Sequence, residues 1–140
     1  MYRRILVAYD GSNGARAALR EGIALAKALG AELCTISVEE HLPHYAASIS
    51  EVKAAKEEID EYFRALAKEA RDVGGLEGVE LEAFVRQGHE VETIVTVAKE
   101  GSFDLLVVGY HGHSRIFDRL MGSTAQSIVR LAPCSVLLAK

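Results

Sequence analysis

The sequence predicts a single α/β domain built on a doubly wound parallel sheet of strand order 3-2-1-4-5, and three observations predict it. Five short strand-like runs alternate with four helical patterns from end to end. The runs Ile5–Tyr9 and Leu105–Val108 are almost wholly apolar, as strands buried on both faces are. A chain of 140 residues, 49% of them apolar, suits one sizeable core. Strand–helix alternation calls for a parallel sheet with helices on both faces, because each right-handed crossover carries a helix back over the sheet. No internal repeat, low-complexity tract or linker divides the chain, so residues 1–140 read as one domain.

Each element has its own signal. Ile5–Tyr9 is the first strand, broken by Asp10-Gly11-Ser12-Asn13-Gly14. A helical pattern runs from about Ala15 to Leu29, with Gly30 where a C-cap belongs. Leu33–Val38 is the second strand, and the aperiodic stretch Glu39–Ser50, with His41, Pro43 and His44, is a long loop. Val52, Ala55, Ile59, Tyr62, Phe63, Leu66 and Ala70 recur at helical spacing, which predicts a helix over Glu51–Val73 ended by Gly74-Gly75. Val79–Val85 alternates apolar and polar residues, as a strand near a sheet edge does. Gly88 opens a third helix with Val91, Ile94, Val95 and Ala98 inward. After the fourth strand, Leu105–Val108, a glycine-punctuated loop runs from Gly109 to Gly122. A short helix covers about Thr124–Leu131, Pro133 breaks the chain, and Ser135–Ala139 is the fifth strand.

Bulk properties exclude several functions. The net charge is −4 and no basic run occurs, which argues against non-specific binding to nucleic acid or anionic membranes. Cys34 and Cys134 lie far apart in strand-like stretches and read as buried free thiols, without metal or disulfide spacing. Met1–Arg4 leads straight into a strand without a signal-peptide core, and no apolar run is long enough to span a membrane. A cytoplasmic protein is expected.

In such sheets ligands bind outside the carboxyl ends of the strands, where strand order reverses. Here the first and fourth strands flank that point, and their carboxyl ends carry Asp10 and Gly109. The loop after the fourth strand reads Gly109-Tyr110-His111-Gly112, then nine residues, then Gly122-Ser123-Thr124. Glycines let backbone approach a ligand closely, and a helix N-terminus offers free N–H groups and a positive dipole end. That makes a phosphate cradle, though not a Walker motif, because no lysine follows the last glycine. Ser123-Thr124-Ala125-Gln126 also has the form of a capping box, with Ser123 as N-cap. A plain strand–helix connection needs only a few residues, so the length of this glycine-built loop favours the cradle.

The pattern Gly109, Gly112, Gly122, Ser123 resembles the Gly-x2-Gly-x9-Gly-Ser/Thr nucleotide signature of universal stress proteins. The opening Ile5–Ser12 and the ending Ala132–Leu138 resemble that family's first and last strands, so the likeness covers essentially the whole chain. It implies a Rossmann-like, adenine nucleotide alpha hydrolase-like fold and a site for ATP, AMP or ADP with Mg²⁺ or Mn²⁺ bridging the phosphates. By that resemblance Asp10 contacts the ribose, backbone at Val38 reads the adenine, and Ala8 and Val108 line the base pocket. Gly109 faces the ribose, and Gly112, His113, Gly122, Ser123 and Thr124 surround the phosphates. Gly88-His89-Glu90 lacks the proline that the family often has there, a departure away from the site. Arg115, Arg119 or a divalent metal is expected to supply the charge that a neutral His113 does not. Family members commonly pair through the last strand, and Ser135–Ala139 carries no internal charge or proline to guard an exposed edge, so a homodimer is expected.

The five histidines read as solvated loop residues rather than a metal centre, and no Gly-x-Ser-x-Gly elbow surrounds Ser12 or Ser123. The reading is a regulatory module that binds an adenine nucleotide and presents that state to an unknown protein partner. The alternatives are a slow ATPase or nucleotidyl-transfer enzyme, or a binder of another adenylated ligand; neither a general base at the γ-phosphate nor a cradle lysine is evident for efficient catalysis.

Overall fold

The computed structural model describes residues 1–40, 48–111 and 121–140. Its elements are β1 (Arg4–Ala8), α1 (Asn13–Leu29), β2 (Glu32–Glu39), α2 (Ile49–Leu76), β3 (Leu81–Gln87), α3 (Glu90–Glu100), β4 (Leu105–Gly109), α4 (Ser123–Leu131) and β5 (Ser135–Ala139). The five strands form one sheet in the order β3-β2-β1-β4-β5, every neighbouring pair parallel. This is the predicted architecture.

The period-two alternation of β1 divides the core between the two faces. Ile5, Val7 and Tyr9 pack with Ala18, Leu19 and Ile23 of α1 and with Leu66 and Ala70 of α2. Leu6 turns to the other face, with Ile94 and Ala98 of α3 and Ala125 and Ile128 of α4. Ile5, Leu6 and Val7 are fully buried, which is why this stretch is apolar without alternation. Burying each such side chain contributes about 1.5–3 kcal/mol. Cys34 is buried and Cys134 half-buried, and both are free thiols.

Several boundaries differ from those the sequence predicts. α1 starts at Asn13 because Ser12 is its N-cap, the Ser12 hydroxyl accepting the Ala15 N–H at 3.1 Å. α2 starts at Ile49, where Ser48 and Glu51 form a capping box. Gly74-Gly75 does not end α2, which runs on to Leu76. Gly74 serves packing instead: a Cβ there would lie 2.8 Å from the Val79 carbonyl oxygen and 2.9 Å from Leu81. β3 is shifted two residues on, because the Val79 N–H closes the end of α2 on the Gly74 carbonyl. α3 opens at Glu90 with His89 as N-cap, not at Gly88.

Candidate functional site

β1 and β4 are adjacent, yet the chain leaves them in opposite directions. α1 packs on one face of the sheet and α4 on the other, which opens a crevice at their carboxyl ends. A cleft of about 680 Å³ lies there, within the usual range for a small-molecule site.

Local chemistry shapes the β1 end of this cleft. The Asp10 carboxylate accepts the Ser12 N–H at 2.9 Å, a tight turn that directs the chain into α1. Ser37 donates its hydroxyl to the Tyr9 carbonyl at 2.6 Å, and the Tyr9 N–H donates to the Ile36 carbonyl, so β1 and β2 stay joined beyond the strand. The Tyr9 hydroxyl donates to Glu69 of α2 at 2.6 Å, and Arg16 of α1 donates to the same carboxylate oxygen at 3.2 Å. Burial, reinforced by this hydrogen bond, pushes the Tyr9 phenol up to about 12. The same bond, with Arg16, holds Glu69 below the usual carboxylate range.

The β4 end is set by a close approach of backbone to backbone. A Cβ on Gly109 would fall 2.6 Å from the Gly14 carbonyl carbon, and one on Gly14 would fall 2.3 Å from the His111 carbonyl oxygen. Only glycine at both positions lets the first turn of α1 rest on the exit of β4. The Gly122 N–H then donates to the Tyr110 carbonyl at 2.9 Å. That bond brings the two ends of the long loop together and sets the start of α4 beside β4.

At α4 the capping box that the local sequence allows does not form. Gly122 is the N-cap, its carbonyl accepts the Gln126 N–H, and Ser123 is the first helical residue. One residue inside the helix, Ser123 no longer occupies the position from which a side chain reaches back to the first-turn N–H groups. Gln126 turns its amide to the Met121 carbonyl at 3.0 Å instead. Among the described residues no side chain caps α4. The other helices differ: Ser12 caps α1, Ser48 caps α2, and the Glu40 carboxylate accepts the Glu90 N–H of α3 at 3.1 Å. Of the helices that begin at this cleft, α4 thus presents the first turn whose N–H groups no described side chain engages.

Of the residues singled out from the sequence, Ala8, Asp10, Val38, Val108, Gly109, Gly122, Ser123 and Thr124 all line this one cleft. Gly112 and His113 lie outside the described residues, as do Arg115, Arg119, His41 and His44. Sequence reasoning missed Glu40, Glu90, Ile36, Ile94, Tyr62 and Phe63, which line it too. Glu40 and Glu90 carry a usable signal, since each falls just beyond a strand's carboxyl end. Tyr62 and Phe63 carry none, since they belong to an ordinary amphipathic stripe. Among the described residues no three His, Cys, Asp or Glu side chains gather as metal ligands. No helix among them is long and apolar enough to cross a membrane.

Comparison with known proteins places these features in a family. The universal stress protein family model matches residues 1–140. A universal stress protein of Thermus aquaticus is 33% identical over 141 residues, covering all of both chains. Among solved structures, the universal stress protein UspA from Lactobacillus plantarum superposes with a TM-score of 0.82 at 27% identity, over 99% of this chain and 98% of that one. A universal stress protein crystallised in complex with cAMP superposes with a TM-score of 0.72 at 29% identity, over 99% of this chain and 97% of that one.

Proposed function

The chain belongs to the universal stress protein family, and from that premise we propose that it is a regulatory module that binds an adenine nucleotide, ATP, ADP or AMP, in the cleft at the ends of β1 and β4. The observation that carries this reading is the start of α4. Gly122, Ser123 and Thr124 at this start line the cleft, and no described side chain caps the helix; a helix N-terminus in that state favours an anion. The rest of the lining offers groups that suit the other parts of a nucleotide. Asp10 lines the cleft, and a carboxylate can accept hydrogen bonds from ribose hydroxyls. Ile36, Val38, Ile94 and Val108 offer apolar surface for a flat base. The cAMP-bound relative supports the same ligand class.

Gly112, by its place in the Gly-x2-Gly-x9-Gly-Ser pattern, and His113, by the resemblance to the family, are assigned to the phosphates. Mg²⁺ or Mn²⁺ would bridge the phosphates of the bound nucleotide. The test is titration calorimetry of the purified chain with ATP, beside mass spectrometry of small molecules released on denaturation. Gly122→Val places a branched side chain at the mouth of the cradle. It is expected to abolish measurable ATP binding while the thermal unfolding midpoint changes little. Wild-type affinity in that variant overturns the cradle.

A further inference from the structure

The end of the cleft away from α4 is acidic, and its geometry bears on which base the site accepts. Glu40 follows β2, and β2 stands two strands from β4 in the sheet. At ordinary parallel spacing two strands along is about 10 Å, a distance comparable with that from a nucleotide's phosphate to its base. Glu40 and Glu90 both line the cleft there, beside Val38 and Ile94.

The Glu40 carboxylate accepts the Glu90 N–H at 3.1 Å. It thereby acts as the cap that His89 does not supply to α3. This has an electrostatic consequence. The positive end of α3 would otherwise compete with that of α4 for phosphate; instead it carries a fixed negative charge. An anionic group is turned toward α4, and whatever lies against Glu40 must be neutral or positive. A carboxylate is also an acceptor only, with lone pairs left over after one bond to an N–H. The group it favours is therefore a hydrogen-bond donor.

Resting on the nucleotide reading above, we infer that Glu40 is a specificity-determining residue that selects a purine carrying an exocyclic amine. Adenine presents that amine as a donor. A purine with hydrogen in its place presents none and leaves the carboxylate facing a C–H group.

The experiment compares ATP with purine riboside 5′-triphosphate, which differs only by replacement of the amine with hydrogen. Both ligands carry the same triphosphate, so general repulsion by Glu40 cancels in the ratio of affinities. Wild-type chain is expected to favour ATP by roughly fivefold or more, the order of a single charge-assisted hydrogen bond at a partly open site. Glu40→Gln keeps an acceptor for the Glu90 N–H and removes the charge, so the ratio is expected to fall toward one while the unfolding midpoint holds. Glu40→Asp keeps the charge and withdraws it by one methylene, giving an intermediate ratio. An ATP preference that is absent in the wild type, or unchanged in Glu40→Gln, overturns the inference while ATP binding itself leaves the nucleotide reading standing. Failure of both triphosphates to bind the wild type overturns that reading, and the inference with it.

Discussion

Tyr9 concentrates much of the side-chain chemistry at the base of the cleft. Its ring is buried and its hydroxyl shares one oxygen of Glu69 with Arg16, so the end of β1, α1 and α2 are tied together at a single carboxylate. Tyr9→Phe removes the donor and leaves the packing, and is expected to cost about 1–2 kcal/mol, since Glu69 retains Arg16 and part of its hydration. The pH dependence has a definite sign. The Tyr9 phenol is raised to about 12 in the fold, against about 10 in the unfolded chain. Between those values the unfolded state gives up the proton first, so the contribution of Tyr9 is fully present below about pH 10 and is lost as pH rises toward 12. Glu69, lowered in the fold, contributes above the unfolded carboxylate value and loses that contribution as pH falls through its folded value. Urea unfolding of wild type and Tyr9→Phe across the alkaline range measures the first effect. Parallel alkaline losses in both proteins exclude it.

At the scale of the element, α2 shows how identical neighbouring residues serve different ends. Gly74 is buried against β3, where a Cβ would press on the Val79 carbonyl and on Leu81. Gly75, the next residue, has nothing within 4 Å of the position a Cβ would take. Gly74→Ala forces β3 away from the helix and is expected to destabilise by about 1–3 kcal/mol, the usual effect of overpacking. Gly75→Ala meets no obstacle and adds helix propensity near the last turn, so it is expected to stabilise by about 0.5–1 kcal/mol. Chemical denaturation of the two single variants decides this, and opposite signs are the expected result. The prediction of a helix end at these glycines rested on a tendency that holds for exposed chain. Close approach of another strand overrides it here.

For the whole molecule, the sheet leaves β5 as one of its two edges. Val136, Leu137 and Leu138 are only half-buried there, and Val129 and Leu131 of the adjoining α4 are exposed. A bare apolar edge of this kind favours pairing, and two-fold pairing of like edges closes without forming fibres. The proposed assembly is a homodimer through β5. Wild-type chain at tens of micromolar is expected to sediment as a dimer, and the double variant Val136→Lys, Leu138→Glu as a folded monomer. A monomeric wild type, or a charged variant that dimerises normally, defeats the proposal.

Periodicity by itself determined the elements and their order, because a strand or helix records its buried face in residues two, three or four positions apart. It also located the cleft, since the carboxyl ends of β1 and β4 follow from topology once the strands are known, and Asp10, Gly109 and Gly122 fall there. Tertiary structure alone decided which groups meet across the fold. Gly14 lies against Gly109, Glu69 reaches Tyr9 from sixty residues away, and Glu40 caps α3 from fifty residues away. Ser123 looked like a cap in its local sequence and is not one, because the bond from Gly122 to Tyr110 sets where α4 begins. Such contacts depend on strand register and on the path of each crossover. No repeat in the chain encodes either, so a contact made across the sheet leaves no local trace in the residues that make it.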